Sequence, residues 1–308
     1  MPFKFSILPA NSYMRPPLAC EIFPGGVVAA RREARKGSQR PEDDSLTFSH
    51  AKLPESAVTP GLKSANLADP SAVSSAIRKV LEDVGARRKN VTVIVPDATA
   101  RVLLLDFDSL PSRERDALPI LRFRLRKMLP FDVEDAAISY QLLPQASQQV
   151  RALVVAMPRA ILAEYESAVR DAGFEPGAVL TSTIASLSAL RASSPALIIN
   201  RSHGAVTTAI IRQDDLLLHR TLELPQNPTL LREELAQAVS VALAYFEDTL
   251  QSQPSTIYYA GSGGAAGFGE LIENNDPLAP RVRDLITPPA AASLPPGISA
   301  GIAGALAS

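Results

Sequence analysis

Residues 197–212 read LIINRSHGAVTTAIIR, and residues 256–271 read TIYYAGSGGAAGFGEL. Each stretch is rich in β-forming residues and leads into a turn of glycine and serine, and such turns present backbone N–H groups to a phosphate. Together they look like the two halves of one nucleotide cleft. A phosphate-transfer site of this kind also needs a carboxylate to hold Mg²⁺. Asn200 stands where the first stretch would place that carboxylate.

Length and composition limit the class of protein. The chain has 308 residues, 46% of them hydrophobic, so it can bury a large core, and its length favours two lobes over one. A net charge of −1 gives no general attraction to nucleic acid. The single cysteine, Cys20, excludes a disulfide framework and is typical of a reducing compartment. No apolar run approaches the roughly 20 residues that span a bilayer, and the N-terminus does not read as a secretory signal. We therefore expect a soluble, intracellular protein.

The order of the predicted elements repeats along the chain. The first copy consists of strands at residues 18–23, 27–31 and 46–53, a helix that begins after Asp69, and a strand at residues 91–95. The second copy consists of strands at residues 196–200, 205–211 and 216–222, a helix at residues 231–250, and a strand at residues 256–259. Such a duplication predicts two ribonuclease-H-like lobes that face each other across a cleft.

A smaller α+β unit separates the two copies. It is predicted to contain strands at residues 101–107, 138–142 and 152–157 and helices at residues 112–129 and 158–172. The first of these helices would place Leu118, Leu121, Leu125 and Met128 on one face. We interpret this unit as an insert in the first lobe.

Two stretches of this insert resemble a known family. Residues 121–143 (LRFRLRKMLPFDVEDAAISYQLL) and 152–176 (ALVVAMPRAILAEYESAVRDAGFEP) are similar to the insert domain of PilM-like proteins, the actin-like proteins of type IV pilus assembly, and more distantly to FtsA. Residues 298–308 (ISAGIAGALAS) resemble the terminal helix of that family. The resemblance implies an actin-like α/β fold with an N-terminal segment at 1–17, a first lobe at 18–100, the insert at 101–179, and a reduced second lobe with a returning C-terminal helix at 180–308.

The same resemblance implies a degenerate nucleotide site. The residues that would contact a nucleotide, if binding is retained, are Gly25, Gly26, Ser202, Gly204, Thr207, Gly261, Gly263 and Gly264. Glu21 and Asn200 stand where the family has aspartates, so only Glu21 could hold Mg²⁺. About six residues separate Leu224 from the helix predicted at 231, which leaves little room for the lobe that covers the base. We expect weak or absent ATP binding and no hydrolysis, with no catalytic residue. The alternatives are an active actin-like or sugar-kinase-like ATPase, and glycines that only shape turns.

A partner site is also implied by the resemblance. PilM-like proteins bind the cytoplasmic N-terminal peptide of a PilN-like inner-membrane protein, in a groove between the insert and the first lobe. The residues expected to form it here are Arg122, Phe123, Arg126, Leu129, Pro130 and Phe131. Alternatively, Phe123 and Leu129 pack inside the insert. The protein would then be a cytoplasmic scaffold of the pilus assembly complex, peripheral to the inner membrane, or of a type II secretion system.

Other charged and metal-binding patterns give weaker hypotheses. Arg122, Arg124, Arg126 and Lys127 form a basic cluster that is typical of a solvated helix face and could also contact anionic lipid weakly. None of the three histidines (His50, His203 and His219) stands at a metal-binding spacing from acidic residues or cysteine, so no metal site is predicted.

Overall fold

The computed structural model describes residues 16–33, 45–143, 149–190, 192, 194–202, 204–213, 215–261, 263–272, 281–286 and 300–307. Within these ranges the chain forms two five-stranded sheets and one three-stranded sheet. Most of the predicted N-terminal segment, and His203, lie outside the described residues. None of the helices described is long and apolar enough to cross a membrane.

The first sheet has the strand order β3-β2-β1-β4-β8. Its strands are β1 (Leu18–Phe23), β2 (Gly26–Glu33), β3 (Ser45–Lys52), β4 (Asn90–Val95) and β8 (Glu175–Thr181). Helices α1 (Pro70–Asp83) and α3 (Arg159–Asp171) cover one face of this sheet. Helix α1 begins where Asp69 accepts a hydrogen bond from the Ala72 backbone N–H at 2.9 Å, and it buries Val73, Ile77 and Val80 at helical spacing.

The second sheet has the strand order β11-β10-β9-β12-β13. Its strands are β9 (Ala196–Ser202), β10 (Ala205–Arg212), β11 (Asp215–Glu223), β12 (Ile257–Tyr259) and β13 (Val282–Asp284). Helices α5 (Pro228–Leu250) and α6 (Gly264–Ile272) cover one face, where Phe268 stacks on Tyr259 with the ring centroids 4.6 Å apart. Only residues 224–227 separate β11 from α5, so the second lobe is reduced at the predicted position.

The insert is a three-stranded antiparallel sheet with the order β5-β7-β6. Its elements are β5 (Arg101–Phe107), α2 (Glu114–Leu125), β6 (Ala136–Leu143) and β7 (Val150–Pro158). One face of the sheet packs against α2, and the other packs through Val102 and Leu153 against Ala209 and Ile211 of the second sheet. Helix α2 is shorter than the predicted 112–129. Met128, predicted on its buried face, is therefore 44% exposed.

Two short helices join the lobes. Helix α4 (Ser182–Leu187) follows β8, and α7 (Ala300–Leu306) returns from the second lobe to the first sheet. Every residue of α7 is buried, and a Cβ at Gly304 would overlap the carbonyl group of Ala185 in α4. The Arg32 guanidinium donates a hydrogen bond to the Leu306 carbonyl at 2.6 Å, which suits the negative end of a helix.

The predicted duplication is confirmed. Three strands, a helix and a strand occur in the same order in both lobes, and β1 and β9 lie in different sheets. The predicted boundary at residue 179 falls inside β8, which belongs to the first sheet. The chain therefore has the predicted α/β fold of two lobes and an insert.

The close contact between α4 and α7 predicts that a larger residue at Gly304 lowers the stability of the fold. Gly304→Ala should lower the free energy of unfolding by about 1–3 kcal/mol or more, because the added methyl group overlaps backbone atoms. Chemical denaturation would measure it. Gly269→Ala in α6 is the matched control, since a Cβ there meets no atom within 4 Å, and it should be neutral or stabilising by up to about 1 kcal/mol. Equal stability of the two variants would contradict the packing described.

Candidate functional site

The two lobes meet at a chain of buried polar side chains. Glu21 near the end of β1, Ser182 at the start of α4, and Asn200 on β9 approach one another there. The Ser182 hydroxyl donates to Glu21 Oε1 at 2.7 Å. The Asn200 amide Nδ2 lies 3.3 Å from the Ser182 hydroxyl, so the two sheets are linked by side-chain hydrogen bonds.

Asp97 completes this polar chain. It lies in a 3₁₀ turn (Asp97–Thr99) after β4 and is buried. Its carboxylate accepts hydrogen bonds from both the backbone N–H, at 2.9 Å, and the hydroxyl of Thr183. Asn200 Nδ2 donates to the Thr183 hydroxyl at 3.0 Å and lies 3.4 Å from Asp97 Oδ2. Buried polar groups are tolerated only with such partners, so this network holds the lobes in one arrangement.

Asp97, Ser182 and Thr183 are not among the site residues that the sequence predicted. Asp97 follows the buried strand β4, and the Ser182–Thr183 pair follows β8, so polar residues at the ends of two apolar strands were the available signal. His219 on β11 has both ring nitrogens buried without a hydrogen-bond partner among the described residues. Burial lowers its pKa although the negative charge of Asp97 opposes this shift. The imidazole is therefore neutral at neutral pH.

These residues do not fit a magnesium ion with its nucleotide. Oε1 of Glu21 is bound by Ser182, and Gly301 of α7 packs so closely that a Cβ there would lie 2.9 Å from Oε2. The Asp97 carboxylate is occupied by Thr183. In the described parts of the chain, no group of three or more His, Cys, Asp or Glu could hold a metal ion. Magnesium needs open oxygen ligands and space for its waters.

The predicted nucleotide contacts in the two hairpins lie in turns or pack against neighbouring strands. Gly25 and Gly204 occupy turns with positive φ angles of 93° and 77°. A Cβ at Gly26 would lie 2.8 Å from the Ala51 carbonyl oxygen, so this glycine allows β3 to approach. The Thr207 hydroxyl is buried 2.9 Å from the hydroxyl of Thr221, while Ser202 is half-buried at the end of β9.

Other parts of the protein fill the space beside the glycine turn that precedes α6. Gly261 packs against the backbone of Arg201, where a Cβ would overlap both the nitrogen and the oxygen. Gly263 and Gly264 have positive φ angles of 86° and 67° and lead into α6. The Ala265 backbone N–H, in the first turn of α6, donates to Asp284 Oδ1 at 2.7 Å. The Asp284 carboxylate therefore lies where the backbone N–H groups at the start of α6 would otherwise bind a phosphate.

A second candidate site is a groove on one side of α2. This α2 groove has a volume of about 400 Å³ and is lined by Arg115, Leu118, Pro119, Arg122, Phe123, Arg126 and Glu134. Phe123 is 76% exposed, the largest exposed fraction among the exposed large hydrophobic residues of the described chain. Arg122 donates to the Val133 carbonyl at 2.5 Å and lies 3.4 Å from the Ala136 carbonyl. An exposed aromatic ring beside guanidinium groups is typical of a protein-binding surface.

The predicted partner residues divide into two sets. Arg122, Phe123 and Arg126 line the α2 groove. Leu129 and Phe131 are half-buried and pack against the core of the insert, and Pro130 is exposed between them. The groove is lined by residues of the insert, whereas the sequence predicted a groove between the insert and the first lobe.

Comparison with known proteins identifies the fold. No family model matches the chain, and no curated protein sequence matches it. Its structure is similar to that of the PilM–PilN type IV pilus biogenesis complex, with a TM-score of 0.72 and 17% identity over 96% of this chain and 98% of that one. The cytoplasmic domain of EpsL, an inner-membrane component of the type II secretion system of Vibrio cholerae, matches with a TM-score of 0.47 and 12% identity over 79% and 81% of the two chains. A Bacteroides thetaiotaomicron protein with an actin-like ATPase fold matches with a TM-score of 0.49 and 10% identity over 87% and 89%. The first of these likenesses confirms the predicted PilM-like fold.

The buried carboxyl group of Glu21 predicts a specific pH dependence. Burial raises its pKa from 4.5 to about 7, and the nearby Asp97 adds to this, while hydrogen bonds from Ser182 and the Ile302 backbone oppose it. The folded protein thus binds this proton more tightly than the unfolded chain. The resulting stabilisation is complete below pH 4.5 and is lost as the pH rises through about 7.

Denaturation at a series of pH values would measure this contribution. The free energy of unfolding of the wild type should fall by up to about 3 kcal/mol across this window relative to Glu21→Gln, which cannot titrate. Glu55→Gln, at an exposed position, is the control for loss of a carboxylate. Parallel curves for the wild type and Glu21→Gln would contradict the assignment.

Proposed function

We propose that this protein is a non-hydrolytic scaffold of type IV pilus assembly that binds the cytoplasmic N-terminal peptide of a PilN-like inner-membrane protein. The fold supports this proposal, because the likeness to the PilM–PilN complex extends over 96% of the chain. The observation that carries it is the exposed Phe123 in the α2 groove. The protein would then act on the cytoplasmic side of the inner membrane.

The α2 groove has the chemistry of a peptide anchor site. Covering a phenylalanine side chain contributes about 1.5–3 kcal/mol when the ring is removed from water. Arg126 extends from the same helix and forms only a 3.5 Å ion pair with Glu134, in which both side chains are 64% exposed. Exposed ion pairs of this kind are weak, so the Arg126 guanidinium can exchange Glu134 for a group on a partner. The weak contact with anionic lipid that the basic cluster suggested stays a prediction.

The polar network between the lobes supports the non-hydrolytic part of the proposal. Glu21 Oε1 and both carboxylate oxygens of Asp97 accept hydrogen bonds from within the protein, and Gly301 of α7 packs against the other oxygen of Glu21. Transfer of a phosphoryl group depends on positioned Mg²⁺ and on donors that face the phosphate. A scaffold needs neither, and the network instead gives it a permanently assembled cleft.

Peptide binding gives the direct test of the proposed function. A fluorescent peptide that covers about the first 20 residues of the cognate membrane protein should bind in an anisotropy titration. Phe123→Ala should weaken binding about tenfold or more, because the ring is the largest apolar contact available. Leu230→Ala removes a side chain of α5 that is 51% exposed and should leave binding unchanged. Absence of binding to the wild type, or equal affinities for wild type and Phe123→Ala, would refute the proposal.

Nucleotide independence is tested separately. Thermal unfolding in millimolar ATP, ADP and Mg²⁺ should give the same midpoint as buffer alone, because a ligand that does not bind the folded protein leaves its unfolding temperature unchanged. Phosphate release should stay at the background rate. Release of phosphate that Glu21→Ala abolishes would show that the cleft is an active ATPase site after all.

A further inference from the structure

One wall of the α2 groove comes from a turn outside the helix. Of the residues that line the groove, all but Glu134 lie on α2 or at its C-cap, Arg126. Glu134 belongs to the 133–135 turn, a single 3₁₀ turn formed by Val133–Asp135 just before β6. Because an α-helix on its own presents a convex surface, the depression beside Phe123 depends on where this turn lies relative to α2.

Arg122 holds the 133–135 turn at both ends. Its side chain is half-buried, and its guanidinium donates to the carbonyl of Val133, the first residue of the turn, at 2.5 Å. The second Nη lies 3.4 Å from the carbonyl of Ala136, the residue that follows the turn. A planar guanidinium has several donors in a fixed fork and can bridge two acceptors in this way. One side chain of α2 thus fixes a turn that lies 11 to 14 positions further along the chain.

Further contacts of the turn fix the backbone of Glu134. Its N–H donates to Asp132 Oδ1 at 2.9 Å, and its carbonyl accepts from the guanidinium of Arg159 at 3.3 Å. The Glu134 carboxylate lies 3.5 Å from the Arg126 guanidinium, and both of these side chains are 64% exposed. The backbone of this wall is therefore held in place, while its exposed ion pair is weak and can exchange partners.

The two arginines on either side of Phe123 in the groove differ in what they can bind. The Arg122 guanidinium already serves two backbone carbonyls, so a ligand carboxylate would have to take donors away from them. The Arg126 guanidinium has only its exposed pair with Glu134 to give up. Arg126 is therefore suited to contact a ligand, and Arg122 is suited to shape the groove before a ligand arrives.

We propose that Arg122 is a positioning residue of the peptide site: it keeps the 133–135 turn, and with it Glu134, in place beside Phe123. This role differs from the direct partner contact that the resemblance implied for Arg122. A site that is ordered before binding loses less conformational freedom when the ligand arrives, so its affinity is higher. The inference deepens the proposed function, on which it rests for the peptide.

Hydrogen exchange in the free protein tests the positioning step. The amides of Glu134, Asp135 and Ala136 are hydrogen-bonded within the turn and its cap. Arg122→Ala should speed their exchange about tenfold or more, because the turn opens more easily without the guanidinium. Arg122→Lys keeps the charge and can donate to one carbonyl, so it should give an intermediate rate. Arg124→Ala is the matched control and should exchange as the wild type does, since this exposed arginine of α2 does not line the groove.

An anisotropy titration with the fluorescent peptide tests the consequence for binding. Arg122→Ala should weaken binding about tenfold, because the peptide must then order the turn itself. Arg122→Lys should restore part of the affinity, and Arg124→Ala should bind as the wild type does. Arg126→Ala should weaken binding without faster exchange, since this side chain contacts the turn only through the exposed carboxylate of Glu134. Thermal unfolding would verify that the variants fold, and Arg122→Lys decides the matter if Arg122→Ala does not.

The two measurements together separate positioning from direct contact. Weaker binding by the Arg122 variants without faster exchange would show that Arg122 contacts the peptide and would overturn the inference. Faster exchange with unchanged affinity would overturn it too, because the turn would then be no part of the site. Absence of peptide binding to the wild type would count against the proposed function, and the exchange rates would still decide whether Arg122 holds the turn.

Discussion

The arrangement of the lobes depends on the hydrogen bonds that the buried carboxylate of Asp97 accepts. This carboxylate receives both the backbone N–H and the hydroxyl of Thr183 and so fixes the first turn of α4. From there the hydrogen bonds continue through Asn200 to the second sheet. A buried carboxylate without these donors would cost several kcal/mol, so the position of α4 and the closure of the cleft are coupled.

The same hydrogen bonds join the two lobes through protein groups alone. In a phosphate-binding cleft, the ligand supplies the charge that joins the lobes. Here the carboxyl groups of Glu21 and Asp97 supply hydrogen-bond acceptors from within the protein, and serine, threonine and asparagine side chains supply the donors. At the N-terminus of α6, the Asp284 carboxylate supplies the negative charge that a helix N-terminus favours. The α2 groove lies outside this cleft, so the proposed peptide binding and the closure of the cleft involve separate residues.

Much of the fold could be predicted from the sequence, whereas the polar site could not. The duplication and the insert could be predicted because their long apolar segments show helical or strand spacing and end at capping or turn residues. The helix that begins after Asp69 is an example. The partners in the network are distant in sequence, with Asp97 and Thr183 separated by 86 positions, and no local pattern reports such a pairing. Gly261 illustrates a further limit, because a glycine that admits a phosphate and one that admits the Arg201 backbone have the same sequence signature. The surface residues depended on details of α2: Phe123 lies within this helix on the side away from the buried Leu121 and Leu125, and the end of the helix at Leu125 lets Phe131 pack against the insert core.

The return of α7 has a consequence for how the chain acquires its structure during synthesis. The Arg32 side chain and the Leu306 carbonyl, which bond directly, are separated by 274 positions. The part of the first sheet that α7 covers therefore stays exposed, together with Glu21, until residue 306 has been synthesised. Contacts of such separation form slowly, because a long loop must close before they contribute. The first lobe is thus completed only after the second lobe has been synthesised, and the nascent chain must keep an apolar β-surface from aggregating in the meantime.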